Sequence, residues 1–168
     1  MKSVTLSPVE LFFLGKMLGA RNIDYSYIAA MPDIQIQYGV NEQKANASLE
    51  EKGLIEVDFS GDTEVNSELA ELLKPVFFFE TETILETAQR YNFHTYEGKT
   101  TLGILNGESI VFSTINTDEM HDFLKGKNVS IKQVDKNKGY REIKFTASDL
   151  SEEDNIQKAI SILKGVME

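Results

Sequence analysis

The chain has no cysteine and no tryptophan, only three prolines and two histidines, and 17 basic side chains against 27 acidic ones in 168 residues. Each shortage excludes some chemistry. Without cysteine there can be no disulfide, thiol nucleophile or thiolate metal site, a usage that fits a reducing compartment. A net charge of −10 leaves no surplus of cations to neutralise phosphates. The deficit is shared: residues 1–75 carry 6 basic and 12 acidic side chains, and residues 76–168 carry 11 and 15. Nucleic acid and anionic membrane are therefore not expected partners. No eighteen apolar residues run together, so no membrane-spanning helix and no membrane insertion are expected. The opening MKSVTLSPVELFFLGKMLGA breaks its apolar run with Glu10, Gly15 and Lys16 and does not read as a signal peptide. The expected setting is the cytoplasm.

Catalytic patterns are equally scarce. His94, in YNFHTYEG, reads as an ordinary half-exposed strand histidine. His121 reads as a helix-surface residue flanked by Asp118 and Lys125 at helical spacing. Neither belongs to an HExxH motif, and GxSxG, GxGxxG and GxxxxGK[ST] are absent. Acidic groupings such as Glu50-Glu51, Glu80/Glu82 and Glu152-Glu153-Asp154 fall where solvated faces and helix N-termini put them. No catalytic, metal-binding or cofactor-binding residue is assigned, no cofactor is expected, and the protein is not expected to be an enzyme.

What is present is a pattern of elements. Ser7-Pro8-Val9-Glu10 is a capping-box sequence with proline at the first helical position, and apolar residues at helical spacing follow to Leu18. Further helices are expected over about 25–31, over 40–52 closed by Gly53, and over EVNSELAELLKP, capped by Asn66 and ended by Pro75. GLIEVDFSG between them reads as a strand. From Val76 the apolar period falls from 3.6 to 2, which predicts strands over about 76–89, 90–96, 99–105 and 108–115. Turns are expected at Glu97-Gly98 and at Asn106-Gly107, the second being the strongest hairpin signal because both of its central residues tolerate positive φ. A helix capped by Thr117 and stopped by Gly126, strands near 129–134 and 140–146 around DKNKG, and a helix from Ser148 with Leu150, Ile156, Ile160 and Leu163 facing inward complete the chain. The expected class is α+β: one domain over 1–168, mainly helical over 1–75, then an antiparallel sheet with helices packed on one face.

Two binding signals stand out. Three helices leading into SLEEKGLIEVD look like the start of a winged helix, but the helix that would enter the major groove, NEQKANASLEEK, has three glutamates against two lysines. That scaffold suits protein contacts better than DNA. The sheet is also rich in aromatics, and strand alternation cannot bury Phe77, Phe78 and Phe79 on one face. An apolar patch left on the sheet would mark a protein-binding surface.

The order of the segments LSPVELFFLGKMLG, ASLEEKGLIEVD, VNSELAELLKPVFFFE, ETAQRYNFHTYEGKTTLGILNGESIVFST and DEMHDFLKG resembles the EspG family of type VII (ESX) secretion chaperones over about residues 5–126. The chain is much shorter than the mycobacterial members, and its lysine, asparagine, isoleucine and phenylalanine usage is that of a low-GC Gram-positive bacterium. The resemblance implies a short, Firmicutes-type relative: a cytosolic chaperone that masks the apolar tip of a helical secreted substrate without ATP or metal. On that reading the sheet and its hairpins make the contact, through Phe78, Tyr91, Phe93, Tyr96 and Leu102. Two alternatives stand beside it, a winged-helix transcription regulator and an immunity protein that neutralises a secreted toxin. A homodimer through an exposed sheet edge stays open.

Overall fold

A computed structural model describes residues 1–21, 23, 27 and 34–166. Nine strands and five α-helices are present among them: β1 (Ser3–Leu6), α1 (Pro8–Met17), α2 (Tyr38–Glu51), β2 (Ile55–Val57), β3 (Thr63–Val65), α3 (Ser67–Phe78), β4 (Thr81–Glu86), β5 (Arg90–Tyr96), β6 (Lys99–Asn106), β7 (Ser109–Thr114), α4 (Thr117–Leu124), β8 (Val129–Asp135), β9 (Gly139–Phe145) and α5 (Glu153–Leu163). The expected α+β class is the observed one. The helix expected over 25–31 lies outside the described residues except for Tyr27.

The main sheet has seven strands in the order β1-β7-β6-β5-β4-β8-β9, antiparallel throughout, and β2 and β3 form a separate hairpin. Strand β1, unexpected from sequence, pairs with β7, so the first residues of the chain add an edge strand to the sheet formed by the second half. Helices lie on both faces, not on one as the sequence suggested. On one face Leu85, Phe93, Leu102 and Ile131 pack against Met120 and Leu124 of α4 and Ile156, Ile160 and Leu163 of α5. On the other, Ile110 and Phe112 pack with Leu11 and Leu14 of α1, Leu69, Leu73, Val76 and Phe77 of α3, and Tyr27. Alternation along β5 separates the two: Phe93 belongs to the first core, and its neighbour His94 bonds Tyr27 of the second.

Local chemistry explains where the elements begin and end. The capping box at Ser7 is complete: Glu10 N–H donates to Ser7 Oγ (3.1 Å) and Ser7 N–H to Glu10 Oε1 (2.9 Å). Asn66 caps α3 by accepting from the amides of Glu68 and Leu69. That helix does not stop at Pro75 but runs to Phe78, so the strand expected from 76 begins only at Thr81. The proline removes one backbone donor, yet Val76 and Phe77 are 1% and 4% exposed, and their burial against the sheet outweighs that loss. Helix α4 is capped by Asn116, whose side chain accepts from Glu119 N–H, one residue before the expected Thr117. At the β5–β6 turn Glu97 and Gly98 both have positive φ, as a tight hairpin requires. At the β6–β7 turn Asn106 instead pairs with Ser109, so Gly107 and Glu108 are the loop residues and Gly107 alone is positive.

A candidate protein-binding surface

The two sheet faces differ in how far the helices cover them. Helix α3 packs across β5, β6 and β7, with Thr101 Oγ1 donating to the Leu72 carbonyl at 2.7 Å. Nearby, the Tyr27 hydroxyl and His94 Nε2 lie 2.6 Å apart, and both residues are fully buried. His94 is therefore a core residue and not the half-exposed one expected. Gly103 makes that approach possible, because a Cβ there would overlap the Tyr27 phenol. Beyond β5 no helix among the described residues covers this face. The strands β4, β8 and β9 present Ile84, Val134 and Tyr140, and Leu105 of β6 is exposed on the same face on the far side of β5. Val134 is 47% exposed and Tyr140 61%.

This uncovered half-face is electrically balanced although the chain is strongly acidic. The register places Glu82 beside Val134 and Tyr140, Ile84 beside Lys132 and Glu142, and Glu86 beside Arg90, Ser130 and Lys144. Three acids and three bases share the strip, with Lys132 and Glu86 3.9 Å apart and Lys144 and Glu142 at the same separation. Cations interleaved with acids leave the apolar side chains as the attractive feature of the strip.

A second apolar element is the β2–β3 hairpin. Its tip, Asp58-Phe59-Ser60-Gly61-Asp62, is held by the Asp58 carboxylate, which accepts from Ser60 N–H (2.9 Å), Ser60 Oγ (2.7 Å) and Asp62 N–H (2.9 Å). These bonds hold the Asp58 carboxyl below its ordinary range, the Ser60 hydroxyl contributing most. Phe59, read from sequence as part of a strand, is at 113% of its reference exposure. A turn-bound aromatic is the one signal that could have marked it: DFSGD is turn chemistry throughout except for its phenylalanine.

The residues expected as a contact surface are not brought together. Phe93 and Leu102 are 0% and 3% exposed in the core beneath α4 and α5 and reach no partner unless the fold opens. Tyr91 lies on that same face, stacked on Phe123 with ring centroids 4.7 Å apart. Phe78 and Tyr96 are half-buried on the opposite face at the end of α3, 6.5 Å apart, with Lys74 Nζ 5.5 Å from the Tyr96 ring. Only these two share a face with the uncovered strip.

Other polar clusters are structural. The buried Glu10 carboxylate joins α1 to α2 by accepting from Lys52 Nζ (2.9 and 3.0 Å) and Ser48 Oγ (3.1 Å). Burial alone would raise its pKa, but the Ser7 amide, Lys52 and Ser48 together hold it below the ordinary carboxylate value. His121 pairs across to Glu153 of α5 at 2.9 Å, not along its own helix. Among the described residues no group of three or more His, Asp or Glu side chains is placed to hold a metal ion, and no helix is long and apolar enough to cross a membrane.

No protein-family model matches the chain, and no curated protein matches its sequence. The fold is similar to that in the structure of the Mycobacterium tuberculosis type VII secretion system chaperone EspG5 in complex with the PE25–PPE41 dimer, with a TM-score of 0.51 at 12% identity. The likeness covers 73% of this chain and 48% of that one, so this chain shares its fold with about half of a secretion chaperone.

Proposed function

We propose that this protein is a cytosolic, non-catalytic chaperone or adaptor that binds a helical secreted substrate of a type VII secretion system and keeps it soluble for export. The observation that carries this reading is the half-face of β4, β8 and β9, where Ile84, Val134 and Tyr140 face outward between paired charges. They lie together on one half-face, and an amphipathic helix laid across the strip would cover them. Likeness in fold to a chaperone solved with a PE25–PPE41 dimer supports the class of partner. The mechanism is reversible masking: apolar side chains of the substrate exchange water for Val134 and Tyr140, with no bond made or broken.

The test is capture of bound proteins from the native bacterium on the tagged protein and on its Val134→Asp/Tyr140→Asp variant. Both positions are exposed, so the variant is expected to keep its circular-dichroism spectrum. Recovery of a long-helical secreted protein by the wild type and its loss from the variant is the expected result. Equal recovery by both would place the contact elsewhere. One observation favours a regulator as second reading: β2 and β3 form a hairpin directly after α2, as a wing does. Retention of DNA fragments in the same capture would favour it.

A further inference from the structure

We infer that two copies of this chain pair through strand β9 as an antiparallel two-fold dimer centred on Ile143. Strand β9 is a terminal strand of the seven-stranded sheet, seven residues long where β1 at the other edge has four. It carries no proline, and no bulge interrupts its register with β8. An edge of this kind leaves a row of backbone N–H and C=O groups open to another strand.

The side chains select a second copy as the occupant. When a strand pairs antiparallel with its own copy about a two-fold axis normal to the sheet, opposed residues must share a face. The axis therefore passes through a residue that meets itself. Three such registers keep five or more residues of Gly139–Phe145 paired. Centring on Arg141 sets arginine against arginine, and centring on Glu142 sets glutamate against glutamate. Centring on Ile143 sets isoleucine against isoleucine, Glu142 against Lys144 twice, and Arg141 against Phe145 twice. Directly opposed like charges destabilise a strand pair and unlike charges stabilise it, so the edge charges disfavour two registers and favour the third.

Arg141 is held within its own copy. Its Nε–H donates to Gln133 Oε1 at 2.8 Å, but its Nη2 is buried without a hydrogen-bond partner among the described residues. It lines a groove of about 590 Å³ between β9 and α5, together with Ile143, Gln157 and Lys158. The Ile143-centred register sets Arg141 opposite Phe145, which is buried in its own copy's core, so no arginine meets arginine there. Because the axis is normal to the sheet, the uncovered half-faces of both copies come to lie side by side on one surface.

The exposed charges allow a test that spares the core. Light scattering on the purified full chain is expected to give twice the chain mass. Glu142→Lys alone and Lys144→Glu alone each lose the dimer, and the double exchange Glu142→Lys/Lys144→Glu restores it. Since the chain has no cysteine, Ile143→Cys provides a second readout: it cross-links to its own copy on oxidation, while Glu108→Cys, on the distant β6–β7 turn, does not. A monomeric wild type, a dimer indifferent to the single exchanges, or a double exchange that fails to restore it would overturn the inference.

Discussion

Among the described residues the sheet is closed on one side and half open on the other, and the strands themselves carry that difference. Under α4 and α5, Thr81, Thr83, Leu85, Phe93, Thr95, Val129, Ile131 and Gln133 of β4, β5 and β8 are all buried, and Tyr91 and Asp135 at the ends of the same face are half-buried. The polar members are satisfied: Gln133 Nε2 donates to Thr83 Oγ1 (2.9 Å) and to the Ile162 carbonyl (2.7 Å), and Thr81 Oγ1 to Asp135 (2.9 Å). On the reverse of the same strands, Glu82, Ile84, Glu86, Lys132 and Val134 alternate charge with aliphatic surface. Val134 and Tyr140 lie exposed on this face, and a core would not tolerate Lys132 or Glu86 unaided. The difference separates residues that hold the fold from residues free to serve a partner.

The largest effect is expected where the closed face is broken. Phe93→Asp puts an unpaired carboxylate between α4 and α5 and should cost upward of about 4 kcal/mol, enough to abolish the folded circular-dichroism signal. A variant that stays folded would show that the closed face is not a packed core.

Next in size is Gln133→Leu. It leaves the Ile162 carbonyl, the Thr83 hydroxyl and Arg141 Nε without their partner, and about 2–3 kcal/mol of stability should be lost in urea unfolding. An unchanged midpoint would mean that water replaces the amide there.

Glu10 comes third. Its partner Lys52 is 42% exposed, so solvent screens the ion pair, and Glu10→Gln is expected to cost only about 1 kcal/mol. The folded pKa lies below the ordinary value of 4.5. The carboxylate's contribution is thus complete above 4.5 and lost as pH falls through the folded value. Urea midpoints of wild type and Glu10→Gln should therefore converge on acidification, and a constant gap down to low pH would contradict the assignment. The smallest stability effects belong to the open surfaces. Phe59→Ala, and Tyr140→Asp on its own, should each stay within about 0.5 kcal/mol of wild type, and a larger loss by thermal unfolding would mark either as structural.

How far the sequence was legible follows the same division. The Ser7 capping box, the alternation of β4 to β7 and the inward face of α5 were readable because each is a local pattern confirmed by its own hydrogen bonds or burial. Strand β1 is hard to read because the polar–apolar alternation of SVTL spans only four residues, and its pairing depends on the distant strand β7. The end of α3 was misplaced because a proline rule competes with tertiary burial of Val76 and Phe77, and burial prevails. Phe93 and Leu102 were expected on a surface since alternation tells which residues share a face but not which face the helices cover. Val134 and Tyr140 escape the sequence for the complementary reason: only the packed fold shows what is left uncovered.

The account rests on the open half-face as the site of partner binding, and the most direct measurement is the comparative capture from the native bacterium with wild type and Val134→Asp/Tyr140→Asp. A helical secreted protein retained by the wild type and released by a folded variant is the predicted result. Undiminished capture by that variant would contradict it and return the strip to plain solvent-facing sheet.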